Sequence, residues 1–331
     1  MTVTSLSIVI PYYNDRTAVV RCLQSIRDAL APLPPRYPTP EIVLVDDHSP
    51  DPFDPESSPV ELRVLRLPEN RGVGAARNMG VALSHGSHLL FLDSDVMLDR
   101  LHLTRLYELL EETDARIIQG PTSVIPANFS PSMFHRYMAA SWNYYEHNNW
   151  EISVFTQCFC VEKQFFDELG GFSERYERSG GEEFELGLRL NALKSGFIHF
   201  DERLVHFHHF DGPVKRMKKV YLRSRYIGSI ALRMPNLPFR FTAQSLMRSA
   251  YAWVLNGFAV LALVSPKAGS AGWILAALLF YVSDLTFSSA MEKAHSRQLA
   301  WMSVVFRQLE YSFINLGMLG GLFLRGIKDK T

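Results

Sequence analysis

Short apolar runs alternate with amphipathic segments along the first hundred residues. The four apolar runs have the length of buried strands and lie at residues 6–11, 41–45, 62–67 and 88–92. The apolar spacing of helices occurs at residues 17–30 and in a second segment that ends at about residue 84. Strands that alternate with helices in this way predict an α/β domain with a mostly parallel sheet.

Two of these predicted strands end in a pair of carboxylates. Asp46 and Asp47 follow the second run, and Asp93 and Asp95 follow the fourth. Open α/β sheets bind ligands at the carboxyl ends of their strands, which is where these side chains are expected. Because carboxylate oxygens suit Mg²⁺ or Mn²⁺, the second pair predicts a divalent-metal site beside a phosphate-bearing ligand. The competing interpretation is a polar turn that only closes the strand.

Further candidate residues lie later in the chain. Glu182, Glu183 and Glu185 are either catalytic carboxylates or acidic side chains in the first turn of a helix, where the helix dipole favours negative charge. His206 and His208 lie on a further predicted strand, and their spacing of two directs both rings to one face. These histidines are either metal ligands or ordinary core or loop residues.

The last third of the chain contains three apolar segments, at residues 250–264, 271–291 and 311–324. Each is near the lower limit of the roughly 17 to 25 residues that cross a bilayer as a helix. We expect two membrane spans and a membrane-associated third segment, with Asp284 facing protein rather than lipid. The alternative is a buried helical subdomain or an oligomer interface.

A cluster of basic residues precedes these segments, as is typical of a cytoplasmic juxtamembrane region. Its members are Lys215, Arg216, Lys218, Lys219, Arg223 and Arg225. The predicted organisation is a catalytic domain at residues 1–212, a basic juxtamembrane segment at 213–245 and a membrane-associated helical region at 246–331.

Composition narrows the function class. The 331 residues are 47% hydrophobic, and 34 Lys plus Arg balance 34 Asp plus Glu, so the net charge does not indicate a nucleic-acid partner. The three cysteines, Cys22, Cys158 and Cys160, form no CxxC pair and predict no disulfide framework. Since the first apolar run is too short for a signal peptide, we expect the catalytic domain to face the cytoplasm.

Several motifs, in order and spacing, resemble the nucleotide-binding half of the family-2 glycosyltransferases. They are Pro11-x-x-Asn14, Asp46-Asp47-His48-Ser49, Asn70-x-Gly72-x-x-x-Ala76-Arg77-Asn78-x-Gly80, Asp93-Ser94-Asp95, Gly171-Phe172 and Gly181-Glu182-Glu183. The resemblance covers roughly residues 5–210. It implies an inverting enzyme with a GT-A fold, a nucleoside-diphosphate sugar as donor substrate and a divalent metal, Mn²⁺ or Mg²⁺.

The resemblance also assigns roles to the residues that match the motifs. Pro11 and Asn14 match nucleotide-binding positions, and Asp46 or Asp47 matches the aspartate that accepts a hydrogen bond from the nucleobase. Which of the two does so stays open.

The same resemblance implies a metal site at the second carboxylate pair. Asp95 matches the direct metal ligand, and Asp93 matches a carboxylate near the ribose or the metal-bound waters. His206 or His208 matches a histidine that completes the metal site.

Two further assignments leave alternatives open. Arg77 matches a basic position near the diphosphate, but a salt bridge to Asp93 or Asp46 explains it equally well. Glu183 falls where the family usually has the aspartate that acts as general base, which leaves either Glu182 or Glu183 as the base.

The function implied is transfer of a sugar to a hydroxyl or phosphate acceptor, on a glycan or a lipid held at the membrane. A non-catalytic membrane scaffold that kept a nucleotide-sugar-binding fold is the alternative, and the glutamate at position 183 is its sequence support. The sequence leaves oligomerisation, the donor sugar and the acceptor open.

Overall fold

The computed structural model describes most of the chain. The described residues are 5–126, 128, 131–149, 154–175, 182–193, 196–233 and 243–323. The chain forms two compact units. The first contains Met1–Phe129 and Tyr145–Phe210, and the second contains Ser130–Tyr144 and Asp211–Thr331.

The first unit is built on β-structure. In chain order its strands are β1 (Leu6–Tyr12), β2 (Glu41–Asp46), β3 (Arg63–Arg66), β4 (His88–Leu92), β5 (Val96–Leu98), β6 (Ile117–Gln119), β7 (Cys158–Glu162), β8 (Ile198–Phe200) and β9 (His206–His208). Seven of them form one sheet in the order β3-β2-β1-β4-β7-β6-β8, and β5 pairs with β9. In the large sheet β7 runs antiparallel to both neighbours and the other pairs are parallel.

Helices cover this sheet. They are α1 (Arg16–Leu30), α2 (Val73–Leu83), α3 (His102–Glu112), α5 (Lys163–Glu168) and α6 (Glu182–Ala192), while α4 (Met133–Asn149) divides between the two units. α1 begins where the Asp15 carboxylate accepts the Ala18 N–H at 3.0 Å, and its apolar face is buried. α2 packs closely on β1 because Gly80 leaves room for Val9.

The strands are apolar on both faces because both faces are covered. In β1, Ile8 and Ile10 belong to one core cluster and Val9 to another. In β4, Leu90 and Phe91 divide between the same two clusters. Successive residues of a strand point to opposite faces, so a sheet between two layers requires a continuous apolar run.

The four predicted strands and two predicted helices of the first hundred residues are present, with ends displaced by one or two residues. The predicted α/β domain with a mostly parallel sheet is confirmed. The sequence pattern did not identify β5–β8, most of which have only three residues.

The second unit is helical. Its helices after the first part of α4 are α7 (Pro213–Arg233), α8 (Ala243–Val264), α9 (Pro266–Ser283), α10 (Leu285–Ala294) and α11 (Arg297–Phe323). Among the described residues one helix, at Met247–Val264, is long and apolar enough to cross a membrane. A second candidate is α9 with α10, which are bent by 84° at their junction.

The predicted apolar segment at residues 271–291 is therefore not one helix. Asp284 stands at the break, where its carboxylate accepts the N–H of Phe287 and caps α10. The same carboxylate pairs with Arg248 and, at 2.7 Å, with Arg307. Asp284 is buried, which confirms that it faces protein.

The basic cluster of α7 is partly neutralised within the second unit. Arg216 donates to Glu310 at 2.9 Å, and Lys215 and Lys219 both lie beside Asp211. Less positive charge is therefore available to a membrane surface than the sequence alone suggested.

Candidate active site

The short sheet formed by β5 and β9 brings a histidine to the end of β4. Val96 pairs with His208 in this antiparallel ladder, and the next residue, His209, donates its N–H to the Asp95 carbonyl at 2.9 Å. As a result the Nε2 atom of His208 lies 3.8 Å from Oδ1 of Asp95.

This separation fits two ligands of one divalent ion. At metal–ligand distances of about 2.1 Å, two donor atoms lie about 3 Å apart at a right angle and about 4.2 Å apart on opposite sides. The side chain of Asp95 is 32% exposed, so further ligands would come from solvent or a diphosphate. Within the described ranges, no three Asp, Glu, His or Cys side chains converge to hold a metal by themselves.

His206 lies in a different environment. It is fully buried, and its Nε2 atom is 3.1 Å from the hydroxyl of Thr122. Burial, with His102 nearby, lowers the pKa of His206 well below its usual value, so the ring is neutral. Of the two histidines predicted for the metal site, the structure brings His208 to Asp95.

Arg77 lies between Asp93, a carboxylate of the predicted metal site, and Glu182, a candidate general base. Its guanidinium is 2.6 Å from Asp93 and 3.5 Å from Glu182, and it stacks over the ring of Phe172 at 5.0 Å. Arg77 itself is only 2% exposed. Of the alternatives for Arg77, the geometry corresponds to the salt bridge, with Asp93 and not Asp46 as its partner.

The charges in this cluster depend on one another. Burial raises the pKa of Asp93, while Arg77 opposes the rise and Asp95 adds to it. Burial alone would lower the pKa of Arg77, but the carboxylates of Asp93 and Glu182 outweigh it and raise the pKa above its usual value. Arg77 therefore stays charged in the interior.

Glu182 and Glu183 begin α6, and the structure gives them different partners. Glu182 is 2% exposed and pairs with Arg77. Glu183 is partly exposed and accepts the hydroxyl of Thr156 at 3.2 Å. Both also stand in the first helical turn, where the helix dipole favours acidic side chains.

Asp46 and Asp47 order the loops that follow β2 and β3. Oδ1 of Asp46 accepts the Ser49 N–H at 2.8 Å, and Oδ2 accepts Arg66 at 3.1 Å. Asp47 accepts the N–H groups of two consecutive loop residues, Arg71 and Gly72, at 2.7 and 2.8 Å. Both carboxylates thus make internal hydrogen bonds, and neither is distinguished as the nucleobase acceptor.

Pro11 and Asn14 flank the same region. Pro11 lies in β1 opposite Val45, and Asn14 follows in a left-handed conformation with φ of 57°. The Asn14 N–H donates to the Ser49 hydroxyl at 2.9 Å, which joins the loops after β1 and β2.

Sequence reasoning missed the segment immediately before β7. Thr156 contacts Glu183 through its hydroxyl, and its carbonyl accepts Arg77 at 3.4 Å. The carbonyl of Gln157 accepts the Asp93 N–H at 2.9 Å. A Thr-Gln pair before an apolar run carries no chemical signature, so only the fold reveals it.

Two models of known protein families match this sequence. The model of "Glycosyl transferase family 2" matches residues 7–167, and that of "Glycosyl transferase family group 2" matches residues 88–289, more than half of the chain. The chain belongs to glycosyltransferase family 2. The predicted family is therefore confirmed.

The matches to curated relatives cover only part of each relative's length. Glycosyltransferase GlyG of Streptococcus pneumoniae serotype 4 is 28% identical over 171 residues, which are 50% of this chain and 48% of GlyG. Human polypeptide N-acetylgalactosaminyltransferase 14 is 26% identical over 207 residues, 56% of this chain and 37% of that protein. The chain thus spans less than half the length of these curated relatives.

A solved structure supports the fold. Mannosyltransferase PcManGT from Pyrobaculum calidifontis, determined in complex with GDP-Man and Mn2+, superposes with a TM-score of 0.55 at 15% identity. The match covers 97% of this chain and 87% of PcManGT. The predicted GT-A fold is confirmed.

Proposed function

We propose that this chain transfers a sugar from a nucleoside-diphosphate donor to a hydroxyl or phosphate acceptor, with inversion at the anomeric carbon. The observation that carries the proposal is the short distance between Asp95 and His208 at the end of β4. In the same site, Arg77 links Asp93 to Glu182 at the start of α6. Metal-side and base-side groups thus belong to one connected cluster.

Asp95 and His208 would hold Mn²⁺ or Mg²⁺ in this proposal. Their oxygen and imidazole donors suit Mn²⁺ in particular, and PcManGT was determined with Mn2+ and GDP-Man. When bound, the ion supplies Lewis-acid stabilisation of the leaving diphosphate. Asp93 is assigned to the ribose side, where Arg77 fixes its orientation.

The nucleobase end of the donor is assigned to the loops after β1 and β2. Asn14 and Asp46 both bond to Ser49, so these loops form one ordered surface. Pro11 and Asp47 belong to the same surface, and Asp46 or Asp47 accepts a hydrogen bond from the base.

Glu183 is the proposed general base. It takes the proton of the acceptor hydroxyl while the acceptor oxygen bonds to the anomeric carbon and the bond to the diphosphate breaks. Glu182 suits this task less well, since it is buried in an ion pair with Arg77. The hydroxyl of Thr156 donates to Glu183 and holds its carboxylate in position.

The second unit is proposed to anchor the enzyme in a membrane, with the first unit in the cytoplasm and an acceptor that is carried on a lipid. Its charged triad, Arg248, Asp284 and Arg307, is buried. Large apolar side chains are instead exposed on α8, α9 and α11: Trp253, Val254, Val260, Leu261, Leu263, Val264, Ile274, Leu275, Leu278, Leu279, Trp301, Val305, Leu309, Leu316 and Leu319. Polar groups inside and apolar groups outside suit hydrocarbon surroundings.

Release of nucleoside diphosphate from a panel of nucleotide sugars tests the catalytic proposal. The detergent-solubilised full chain is assayed with Mn²⁺ or Mg²⁺ and membrane lipid extract, beside Asp95→Ala and Glu183→Gln. We expect metal-dependent turnover of one donor that falls at least about a hundredfold in each variant. Asp95-dependent binding of a donor without turnover would instead favour the scaffold.

A further inference from the structure

Glu146 is a buried carboxylate to which the proposed reaction gives no role. It lies near the end of α4 and is 1% exposed. One oxygen accepts the backbone N–H of Thr122, and the other accepts the Thr122 hydroxyl and the side-chain amide of Gln157, both at 2.7 Å. Three donors from two separate loops therefore converge on one carboxylate.

Gln157 connects this cluster to the candidate active site. Its carbonyl accepts the N–H of Asp93 at 2.9 Å, so its backbone is bonded to the metal side of the site. The preceding residue, Thr156, donates its hydroxyl to Glu183 at 3.2 Å. Gln157 thus bonds to both Asp93 and Glu146, and the adjoining Thr156 bonds to Glu183.

The energetic cost of Glu146 argues against a space-filling role. A carboxyl group in the interior carries a desolvation penalty that an apolar side chain of similar size would avoid. Burial raises the pKa of Glu146 to about 8, although its three hydrogen bonds oppose the rise. A fully satisfied buried polar cluster fixes one arrangement of the segments it joins.

We propose that Glu146 is a positioning residue that fixes Gln157 and, through the adjoining Thr156, the carboxylate of Glu183. This inference rests on the proposed function, because it assigns Glu146 to the same reaction. Glu146 does not touch the substrate, and its effect passes through residues 156 and 157. Its loss should therefore change turnover more than donor binding.

A double-mutant cycle in the full-length enzyme tests the inference. Glu146→Gln, Thr156→Val and the double variant are compared with the native chain for kcat and donor KM at saturating Mn²⁺. We expect each single change to lower kcat by about tenfold or more, with donor KM within about threefold, as for other residues that orient a reacting group. The double variant should be no slower than the slower single variant, because both changes remove the same support.

Glu41→Gln is the matched control. Glu41 is a carboxylate at the amino end of β2, whereas the candidate site lies at the carboxyl ends of the strands, and it also accepts several donors, from Ser7, His85 and Gly86. This control should lower the unfolding temperature and leave kcat per folded molecule unchanged. If Glu146→Gln fails to fold, Gln157→Met removes the same link and should show the same fall in kcat.

Three results would overturn the inference. The first is an unchanged kcat in Glu146→Gln or Gln157→Met, and the second is full additivity with Thr156→Val. The third is an equal loss of kcat in Glu41→Gln, which would indicate general destabilisation. If the native chain turns over no donor, the proposed function fails and the inference fails with it.

Discussion

Arg77 shows how one buried residue connects separate parts of the candidate site. The motif match put Arg77 near a diphosphate and left a salt bridge to Asp93 or Asp46 as the alternative. The structure puts it between Asp93 and Glu182. Removing one partner of a buried ion pair leaves the other charge buried and unpaired, which strongly lowers the free energy of unfolding. Arg77 thus couples Asp93, at the end of β4, to the first turn of α6.

Replacement of Arg77 by Met should therefore lower the free energy of unfolding. The variant leaves Asp93 and the buried Glu182 without their cation, and we expect a loss of about 3 kcal/mol. Chemical denaturation of the full chain, followed by tryptophan fluorescence, measures it.

Arg71→Met is the control for this prediction. Arg71 pairs with Glu174 at 2.6 Å, but both side chains are more than one-third exposed, so the loss should be at most about 1 kcal/mol. Equal losses in the two variants would show that the buried position of Arg77 does not matter.

Glu146 should make stability depend on pH. Its pKa is raised from 4.5 to about 8 in the folded chain, so the folded state binds more protons than the unfolded state between these values. This contribution to stability is complete below pH 4.5 and is lost as the pH rises through about 8.

Glu146→Gln should flatten the pH dependence of stability across this interval, because the amide does not titrate. The unfolding midpoint of both proteins, measured in steps from pH 5 to pH 9, gives the comparison. A native midpoint that rises towards pH 8 relative to that of the variant would contradict the assignment.

The short strands β5 and β9 determine which of the predicted site residues lie close together. The sequence predicted two histidines on one strand face, but only the pairing of β5 with β9 determines that His208 meets Asp95. Each of these strands has three residues, too few for a periodic pattern to reveal β5 or the register in which it pairs with the predicted histidine strand. The longer β1, β2 and β4 were predictable because their apolar runs are continuous.

The junction of α9 and α10 illustrates a second limit of the sequence pattern. Hydropathy alone gave one apolar segment, because a single Asp284 changes the average little. The structure uses this residue to cap α10 and to pair with Arg248 and Arg307. Partners so distant in sequence are brought together only by the tertiary structure.

The packing of α2 on β1 depends on Gly80. A Cβ atom there would lie 2.4 Å from Cγ1 of Val9, so Gly80→Ala must displace either the Val9 side chain or the helix. We expect a loss of about 1–3 kcal/mol in unfolding free energy.

Gly187→Ala in α6 is the control for this change. Apart from the backbone of its own helix, no atom of the described residues lies within 4 Å of a Cβ added at Gly187, and alanine favours the helix by about 0.5–1 kcal/mol. Thermal unfolding of both variants distinguishes them, and a Gly80→Ala variant as stable as the native chain would contradict the close packing.

The two units differ in how they distribute polarity. The first unit buries apolar residues on both faces of its sheet, and the second exposes them on α8, α9 and α11. The sequence predicted the order of these regions, since apolar segments of this length are visible without a structure. It did not identify the donor sugar, because few hydrogen bonds discriminate among sugars and no motif encodes them.

The proposed membrane attachment predicts how the full chain fractionates. In cells that produce the full chain, it should sediment with membranes, resist an alkaline carbonate wash and be extracted by detergent. Recovery in the soluble fraction, or release by carbonate, would contradict insertion of α8 in the bilayer. A cytoplasmic enzyme without apolar segments serves as the control for the fractionation.

We propose a single displacement in which one carboxylate, Glu183, activates the acceptor. The anomeric configuration of the first-formed product, determined by NMR with the donor that the native chain turns over, tests it most directly. We expect inversion, so an α-linked donor gives a β-linked product, with formation lost in Glu183→Gln. A product that retains the configuration of the donor would contradict a single displacement.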